Sequence, residues 1–211
     1  MKPLKIIGII IGVILLAVIG YGIFSYIQLT QGDLKDLGVR YTEEDAKIAI
    51  EEKAGVDVND LSKVYFGSNF ATEGSVPVDT TFTDSEISAI QNYANESSGP
   101  FKQVQIHFIG DGMVEASGYV EDPRVTIPGP VYVKGEVVRT GPKSFTTNIE
   151  SLQVGDYVVP RTIIEKANSE FLGYVNGILG NIDGLNVESI QINNGSVDFK
   201  GDLPERVYGL E

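Results

Sequence analysis

The sequence has no cysteine, no tryptophan and a single histidine in 211 residues. Without cysteine, the chain has no disulfide, no thiolate metal ligand and no thiol nucleophile. Basic residues are also scarce, since 16 lysines and arginines stand against 29 acidic residues and give a formal net charge of −13. Nucleic acid and anionic lipid headgroups are both held by basic side chains. We therefore expect no nucleic-acid partner.

Motifs for catalysis are also missing. The sequence has no GxSxG, HExxH or P-loop pattern. His107 falls on the polar side of a predicted strand, and the sequence names no fixed partner for it. Acidic pairs such as Asp84 with Glu86 stand at a predicted helix start, where capping and the helix dipole account for them. Residues 57–60 resemble the start of a calcium loop, but the sixth and twelfth positions do not fit. We predict no catalytic residue, metal site or cofactor.

The longest apolar stretch lies at the N-terminus. Residues 6–24 carry no charge, and the apolar character continues to Ile27. As a helix this stretch would be roughly 33 Å long, enough to cross the hydrocarbon core of a bilayer. It is longer than a typical signal-peptide core and ends without an Ala-x-Ala pattern, which favours an uncleaved anchor over a removed signal peptide. The bilayer itself is thus the first predicted partner, through residues 6–27.

Charges flanking this stretch predict its orientation. Lys2 and Lys5 precede it, and the positive-inside rule keeps that end in the cytoplasm. We predict a single-pass membrane protein with a cytoplasmic tail at 1–5, an anchor at 6–27, and the remainder outside the cytoplasm. Gly8 and Gly12 form a GxxxG pattern, which would let two spanning helices associate and so bring in a membrane-protein partner. Glycine is common in spanning helices, so the pattern is also expected without association.

The remainder is organised as a stalk and one domain. Residues 28–40 are polar and mixed in charge and are predicted to form a short stalk, and 41–211 have the size of a single domain. A helix is predicted to begin after Thr42 and to end near Gly55, with a narrow apolar stripe. Residues 82–87 combine a capping box with a hydrophobic staple, which predicts a second helix starting after Thr83.

Between residues 101 and 154 the apolar residues recur with period two, as in strands. Gly110-Asp111-Gly112 predicts a hairpin turn, and Asn193-Asn194-Gly195 predicts another further on. Apolar residues change parity between Ile149 and Leu152, which predicts a bulge near Ser151 and a strongly curved sheet. Together these patterns predict an α+β domain with antiparallel pairing.

A long helix is predicted from residue 161 to 182. Its apolar residues form one stripe, which includes Ile164, Ala167, Phe171, Val175 and Ile178. The other side carries Gly173, Gly177 and Gly180, and each glycine lowers helix stability by about 1 kcal/mol relative to alanine. Two interpretations remain open: a frayed or broken C-terminal half, or a strand or ligand that approaches the bare backbone closely.

Three segments carry a family resemblance. They are residues 82–90, residues 114–118, and residues 149–155 leading through Val159-Pro160 into the long helix. This arrangement resembles the small membrane-anchored YpmS-like proteins of bacteria, which are related to the tubular lipid-binding (TULIP) superfamily. The likeness covers residues 80–201. It implies a curved antiparallel sheet packed around the helix at 161–182, with an apolar groove for lipid tails between them.

Three functions are compatible with these patterns. The first is a membrane-anchored, extracytoplasmic binding module for a lipid or lipid-linked envelope component, with the stripe at 164–178 as one wall of the groove. The second is a non-catalytic structural or accessory subunit of a cell-envelope complex, recruited through the anchor or the acidic surface. The third is a hydrolase that acts on envelope polymers through carboxylates, and the missing motifs argue against it.

Overall fold

The computed structural model describes residues 32–55, 70–96, 99–122, 125–126 and 129–209. Its α-helices are α1 (Glu43–Lys47), α2 (Asp84–Asn95) and α3 (Arg161–Gly180), and a π-helix at Ile48–Lys53 continues α1. The strands are β1 (Phe70–Glu73), β2 (Val76–Thr83), β3 (Phe101–Gly110), β4 (Met113–Asp122), β5 (Val125–Thr126), β6 (Val131–Gly141), β7 (Ser144–Val154), β8 (Tyr157–Val158), β9 (Asn186–Asn193), β10 (Ser196–Leu203) and β11 (Arg206–Gly209).

All described strand pairs are antiparallel, and the α+β class predicted from the sequence is confirmed. The largest sheet has the order β3-β4-β6-β7-β8, with β5 paired to β4. A second sheet has the order β2-β10-β9, and β1 pairs with β11. The predicted hairpins are present as β3–β4 and β9–β10. The predicted bulge is also present, because Lys134 pairs with Ser151 and Gly135 with Ile149, which leaves Glu150 as the extra residue.

The two predicted helix starts have the expected capping geometry. Thr83 Oγ1 accepts a hydrogen bond from the Glu86 backbone N–H at 3.3 Å, and the Glu86 carboxylate accepts one from the Thr83 N–H at 2.8 Å. Thr42 and Asp45 form a second capping box at the start of α1. The narrow apolar stripe that follows is buried through Ala46, Ala49 and Ile50, and α1 packs against α2. Residues 57–60, which resemble the start of a calcium loop, lie outside the described residues.

One apolar core joins the two larger sheets and the helices. It includes Phe82 of β2, Phe108 of β3, Phe145 of β7 and Phe199 of β10, each with a fully buried side chain. The long helix contributes Ile164, Val175 and Leu179 to the same cluster. Burial of such large side chains is the main favourable term in folding. The core therefore lies on one face of the largest sheet, which we call the inner face. The opposite face is the outer face.

Helix α2 covers the open edge of β3 with polar side chains. Asn92 bonds both the N–H and the C=O of Val104, at 2.9 and 2.7 Å. Ser88 bonds both groups of Ile106, at 2.9 and 3.3 Å, and Asp84 accepts from the N–H of Phe108 at 2.8 Å. The Phe108 carbonyl accepts from the Gly195 N–H at 2.8 Å.

The spacing explains why one helix can serve this edge. Four helical residues rise about 6 Å, and two strand residues advance about 6.6 Å. Side chains at positions 84, 88 and 92 therefore meet successive outward-facing backbone groups at 108, 106 and 104. The outward N–H and C=O groups of these three strand residues all have partners, so the edge is closed against further strand pairing.

Candidate functional site

The apolar stripe of α3 is the predicted groove wall. Ile164 and Val175 are buried, and Ile178 is half-buried and packs against the core. The side chains of Ala167 and Phe171 lie outside the part that the structure describes. The helix begins at Arg161 as predicted and ends at Gly180, two residues before the predicted end. Its two ends are thus anchored in the core through the predicted side of the helix.

Two asparagines attach α3 to the edge of β7. Asn176 bonds the N–H and the C=O of Phe145, both at 2.9 Å. Asn168 donates to the Thr147 carbonyl at 3.0 Å and its amide oxygen lies 2.5 Å from the Thr147 hydroxyl. Strand β8 pairs with Gln153 and Val154, so among the described strands none lies beside this part of the β7 edge. The amides take the place of one, and the helix lies along the edge as α2 does on β3.

The glycines of α3 face open space. A Cβ atom built on Gly173, Gly177 or Gly180 would meet no atom of the described chain within 4 Å, the helix's own nearby backbone aside. The helix is continuous through all three positions. The interpretation of a broken C-terminal half is therefore wrong, and no described strand approaches the bare backbone, while the approach of a ligand stays a prediction.

Alanine at these positions is expected to stabilise the protein. Gly173→Ala and Gly177→Ala should each raise the free energy of unfolding by about 0.5–1 kcal/mol, because alanine loses less backbone entropy in a helix and meets no obstacle here. Chemical denaturation of the full chain in detergent, followed by tyrosine fluorescence, measures the change. A loss of stability in either variant would contradict the open surroundings of this side.

His107 has a fixed partner that the sequence did not reveal. Its Nδ1 atom lies 2.6 Å from Asp84 Oδ2, while Asp84 Oδ1 accepts from the Phe108 N–H. The sequence named no fixed partner for His107, and the structure supplies one in Asp84. The contact arises because Asp84 starts α2 beside the turn at Gly195, to whose carbonyl its own N–H donates at 3.1 Å. Both carboxylate oxygens serve to fix α2 on β3, which is a structural use of the pair.

A cleft of about 500 Å³ opens between the β3–β4 turn and β9. It is lined by Gly110, Asp111, Val137, Asn193 and Asn194, among others, and none of its lining residues belongs to α3. It therefore lies apart from the predicted groove wall. Among the described residues, no group of three or more histidine or acidic side chains is placed to hold a metal ion.

Residues 32–40 run across the outer face of the largest sheet, and we call them the strap. Gly32 lies against Gly155, Ser117 donates to the Lys35 carbonyl at 2.7 Å, and the Leu37 N–H donates to Gln105 at 2.9 Å. The strap thus crosses from the β7–β8 turn to β3. It is the C-terminal part of the predicted stalk, and it is held on the domain.

The middle of the strap is fixed by an aromatic ring and a carboxylate. The Lys35 ammonium lies 3.4 Å from the centre of the Tyr132 ring and 3.8 Å from the Glu115 carboxylate. The Tyr132 hydroxyl donates to the same carboxylate at 2.7 Å. Burial and this hydrogen bond raise the pKa of Tyr132 above its ordinary value. Lys35 of the strap, Tyr132 and Glu115 therefore form one partly buried cluster between the strap and the sheet.

Comparison with known proteins gives no match: no family model, no curated protein and no solved structure is similar to this chain. Among the described residues, no helix has both the length and the apolar character needed to span a bilayer. The predicted anchor at 6–27, with Gly8 and Gly12, lies outside those residues.

Proposed function

We propose that the chain is a membrane-anchored, extracytoplasmic binding module whose ligand is a lipid or a lipid-linked component of the cell envelope. Residues 6–27 hold it in the bilayer, and the ligand's apolar part lies between α3 and the curved sheet. The proposal assigns the chain no catalytic role. It keeps the function implied by the resemblance to YpmS-like proteins and adds the place on the structure where the ligand would lie.

The observation that carries the proposal is the uneven burial of α3. The helix is fixed at its ends by Ile164 and by Val175 and Leu179. Between Ile164 and Val175, no side chain that the structure describes is fully buried, and Leu172 is half-buried on this stretch. An amphipathic helix usually buries its apolar stripe along its whole length. At the centre of α3 the described apolar residue is Leu172, whose half-buried side chain leaves surface that an acyl or isoprenoid chain would cover.

The attachment of α3 supports the same location. Asn168 and Asn176 hold the helix on the edge of β7 through hydrogen bonds, which do not require close apolar packing at the helix centre. The outer side of the helix is exposed at Gly173 and Gly177. The helix thus separates solvent from the sheet, as one wall of a groove would, and a ligand beneath it would be shielded from water.

Native mass spectrometry of the full-length protein, extracted from membranes in a mild detergent, tests this function. We expect a bound lipid on the protein. Leu172→Gln places a polar amide on the half-buried side of α3 and should lower the lipid-bound fraction about tenfold, because an uncompensated buried amide opposes apolar binding by about 1–3 kcal/mol.

Ser169→Gln is the matched control, because Ser169 lies on the same turn of α3 but is exposed. This variant should keep the bound lipid. Thermal unfolding of both variants separates lost binding from lost folding. A protein that carries no lipid after extraction, and takes up none from added lipid extracts, would contradict the binding function and leave the accessory-subunit alternative.

A further inference from the structure

The β7–β8 corner, formed by Gly155, Asp156, Tyr157 and Val158, is the surface that we propose rests on the bilayer. The occupant of this surface is the interfacial layer of the same membrane that holds residues 6–27. The inference rests on the anchoring part of the proposed function. It adds the orientation of the domain: the corner and the start of α3 face the membrane, and the cleft at Gly110 faces away from it.

The chain reaches the domain at this corner. Four residues, 28–31, separate the predicted end of the span at Ile27 from Gly32. Fully extended, they allow at most about 18 Å between the two Cα atoms. Gly32 lies on the corner itself, since a Cβ atom built on it would come within 2.7 Å of the Gly155 carbonyl carbon. The corner is therefore within about 18 Å of the end of the span, and a folded linker would bring it closer.

The strap is held on the sheet along its length. Beyond Gly32, it is fixed by the hydrogen bonds of Lys35 and Leu37 and by the stacking of Lys35 on Tyr132. These contacts lie on three strands of one sheet. The direction in which the chain leaves the domain is thus set by the sheet, and the anchor constrains the orientation of the whole domain.

The corner also carries exposed apolar side chains. Val158 is 61% exposed and Tyr157 is 36% exposed. With Val138, they are the large apolar residues exposed in the described part of the chain. Tyrosine is enriched where membranes meet water, because its ring is apolar and its hydroxyl is polar. A valine and a tyrosine on an exposed two-residue strand are therefore suited to the bilayer interface.

The charges at the corner decide what kind of contact this is. Asp156 is exposed at the turn, and the exposed Arg161 beyond it pairs with Glu165 at 3.0 Å. Neither arrangement provides a free cationic cluster for anionic headgroups. The contact is therefore apolar and lies in the interfacial layer. It is directed by the anchor and the strap, and it does not depend on anionic lipid.

The orientation connects the corner to the proposed ligand site. Helix α3 starts at Arg161, three residues beyond Val158, so its N-terminal end adjoins the membrane-facing corner. On β6, Val131 pairs beside the corner with Val154, and Glu136 pairs with Met113 at the other end. The five steps from Val131 to Glu136 advance about 17 Å. The end of the groove at Ile164 is near the bilayer, from which a lipid would enter, and the cleft is distal.

The test uses the absence of native cysteine. Full-length Val158→Cys and Asn194→Cys proteins, each carrying an environment-sensitive fluorophore, are reconstituted into phosphatidylcholine vesicles with and without headgroup-region spin-labelled lipid. Asn194 is exposed and lies in the β9–β10 turn beside the distal cleft. We expect the spin label to quench the fluorophore at position 158 at least about threefold more than the one at 194. Equal quenching at the two positions would overturn the proposed orientation.

Flotation of the same samples on a density gradient separates the two proposals. Protein that floats with vesicles but shows no quenching at 158 retains its anchor and refutes the docked corner, whereas protein that does not float refutes both.

Gly32→Val forces the strap off the backbone of Gly155 and should reduce the quenching at 158 at least about twofold, while flotation persists. Unchanged quenching in that variant would refute the role of the strap. The mass-spectrometric assay measures lipid binding separately, so its result does not depend on any of these outcomes.

Discussion

Ser88→Ala is expected to lower the free energy of unfolding by about 1–3 kcal/mol, and Ser88→Ala with Asn92→Leu by about 2–5 kcal/mol. These side chains are the partners of the outward N–H and C=O groups of Ile106 and Val104 on the edge of β3. Ser88 is fully buried, so water cannot replace it there. The loss would therefore be the desolvation penalty of unpaired backbone groups, which exceeds the value of an ordinary hydrogen bond.

The matched control for this pair is on the same helix. Ser85→Ala makes the same chemical change one turn earlier, at a half-exposed position, and should alter stability by less than about 0.5 kcal/mol. Chemical denaturation of the full chain in detergent gives both values. If Ser88→Ala and Ser85→Ala had the same small effect, the covered edge would not contribute to stability as the geometry indicates.

Lys53→Met is expected to lower the free energy of unfolding by about 3–5 kcal/mol, because it leaves a buried carboxylate without its countercharge. Glu86 is 5% exposed, and the Lys53 ammonium lies 2.8 Å from its carboxylate oxygens. The ammonium also donates to the Thr81 carbonyl at 2.8 Å. This cluster ties the π-helix at 48–53 to β2 and to the start of α2.

The double variant Lys53→Met, Glu86→Gln distinguishes a buried charge from lost packing. Glutamine keeps an oxygen that can accept from the Thr83 N–H, as Glu86 does at 2.8 Å, but carries no charge. It should recover at least about half of the lost stability. Lys47→Met, at an exposed position in α1, is the control and should change stability by less than about 0.5 kcal/mol. A single Lys53→Met variant as stable as this control would contradict the account.

Local signals in the sequence predicted the elements that are determined by interactions between residues close in the chain. The capping box at Thr83 and the turns at 110–112 and 193–195 fix the chain within a few residues, and each was found where the sequence placed it. The change of apolar parity after Ile149 likewise predicted a bulge, now seen at Glu150. The stripe on α3 gave the correct inward side at Ile164 and Val175.

Contacts between distant segments were not predicted. Asp84, Ser88 and Asn92 are spaced by four residues, and this row of short polar side chains on an otherwise buried helix was the available signal for the covered edge of β3. Asn168 and Asn176 gave a weaker signal on α3. The partner of His107 depends on the same covered edge, so it could not be identified without the tertiary arrangement.

The strap shows how polar composition alone can lead to the prediction of a stalk for a segment that binds the domain. Residues 28–40 were predicted as a stalk because their composition is polar and contains glycine. Residues 32–40 instead bind the sheet through backbone groups and through Lys35, which pattern analysis cannot assign to a partner. Gly32 serves close backbone approach to Gly155, which is a role of glycine that composition alone does not distinguish from flexibility.

Topology labelling of the full-length chain tests the central claim most directly. Ser189 is exposed on β9, and the chain has no other cysteine to react, so Ser189→Cys provides a single reporter. In protoplasts treated with a membrane-impermeant maleimide, we expect position 189 to be labelled before lysis and the protein to remain in the membrane fraction after a high-salt wash. Labelling only after lysis, or recovery of the intact chain in the soluble fraction, would contradict a membrane-anchored extracytoplasmic module.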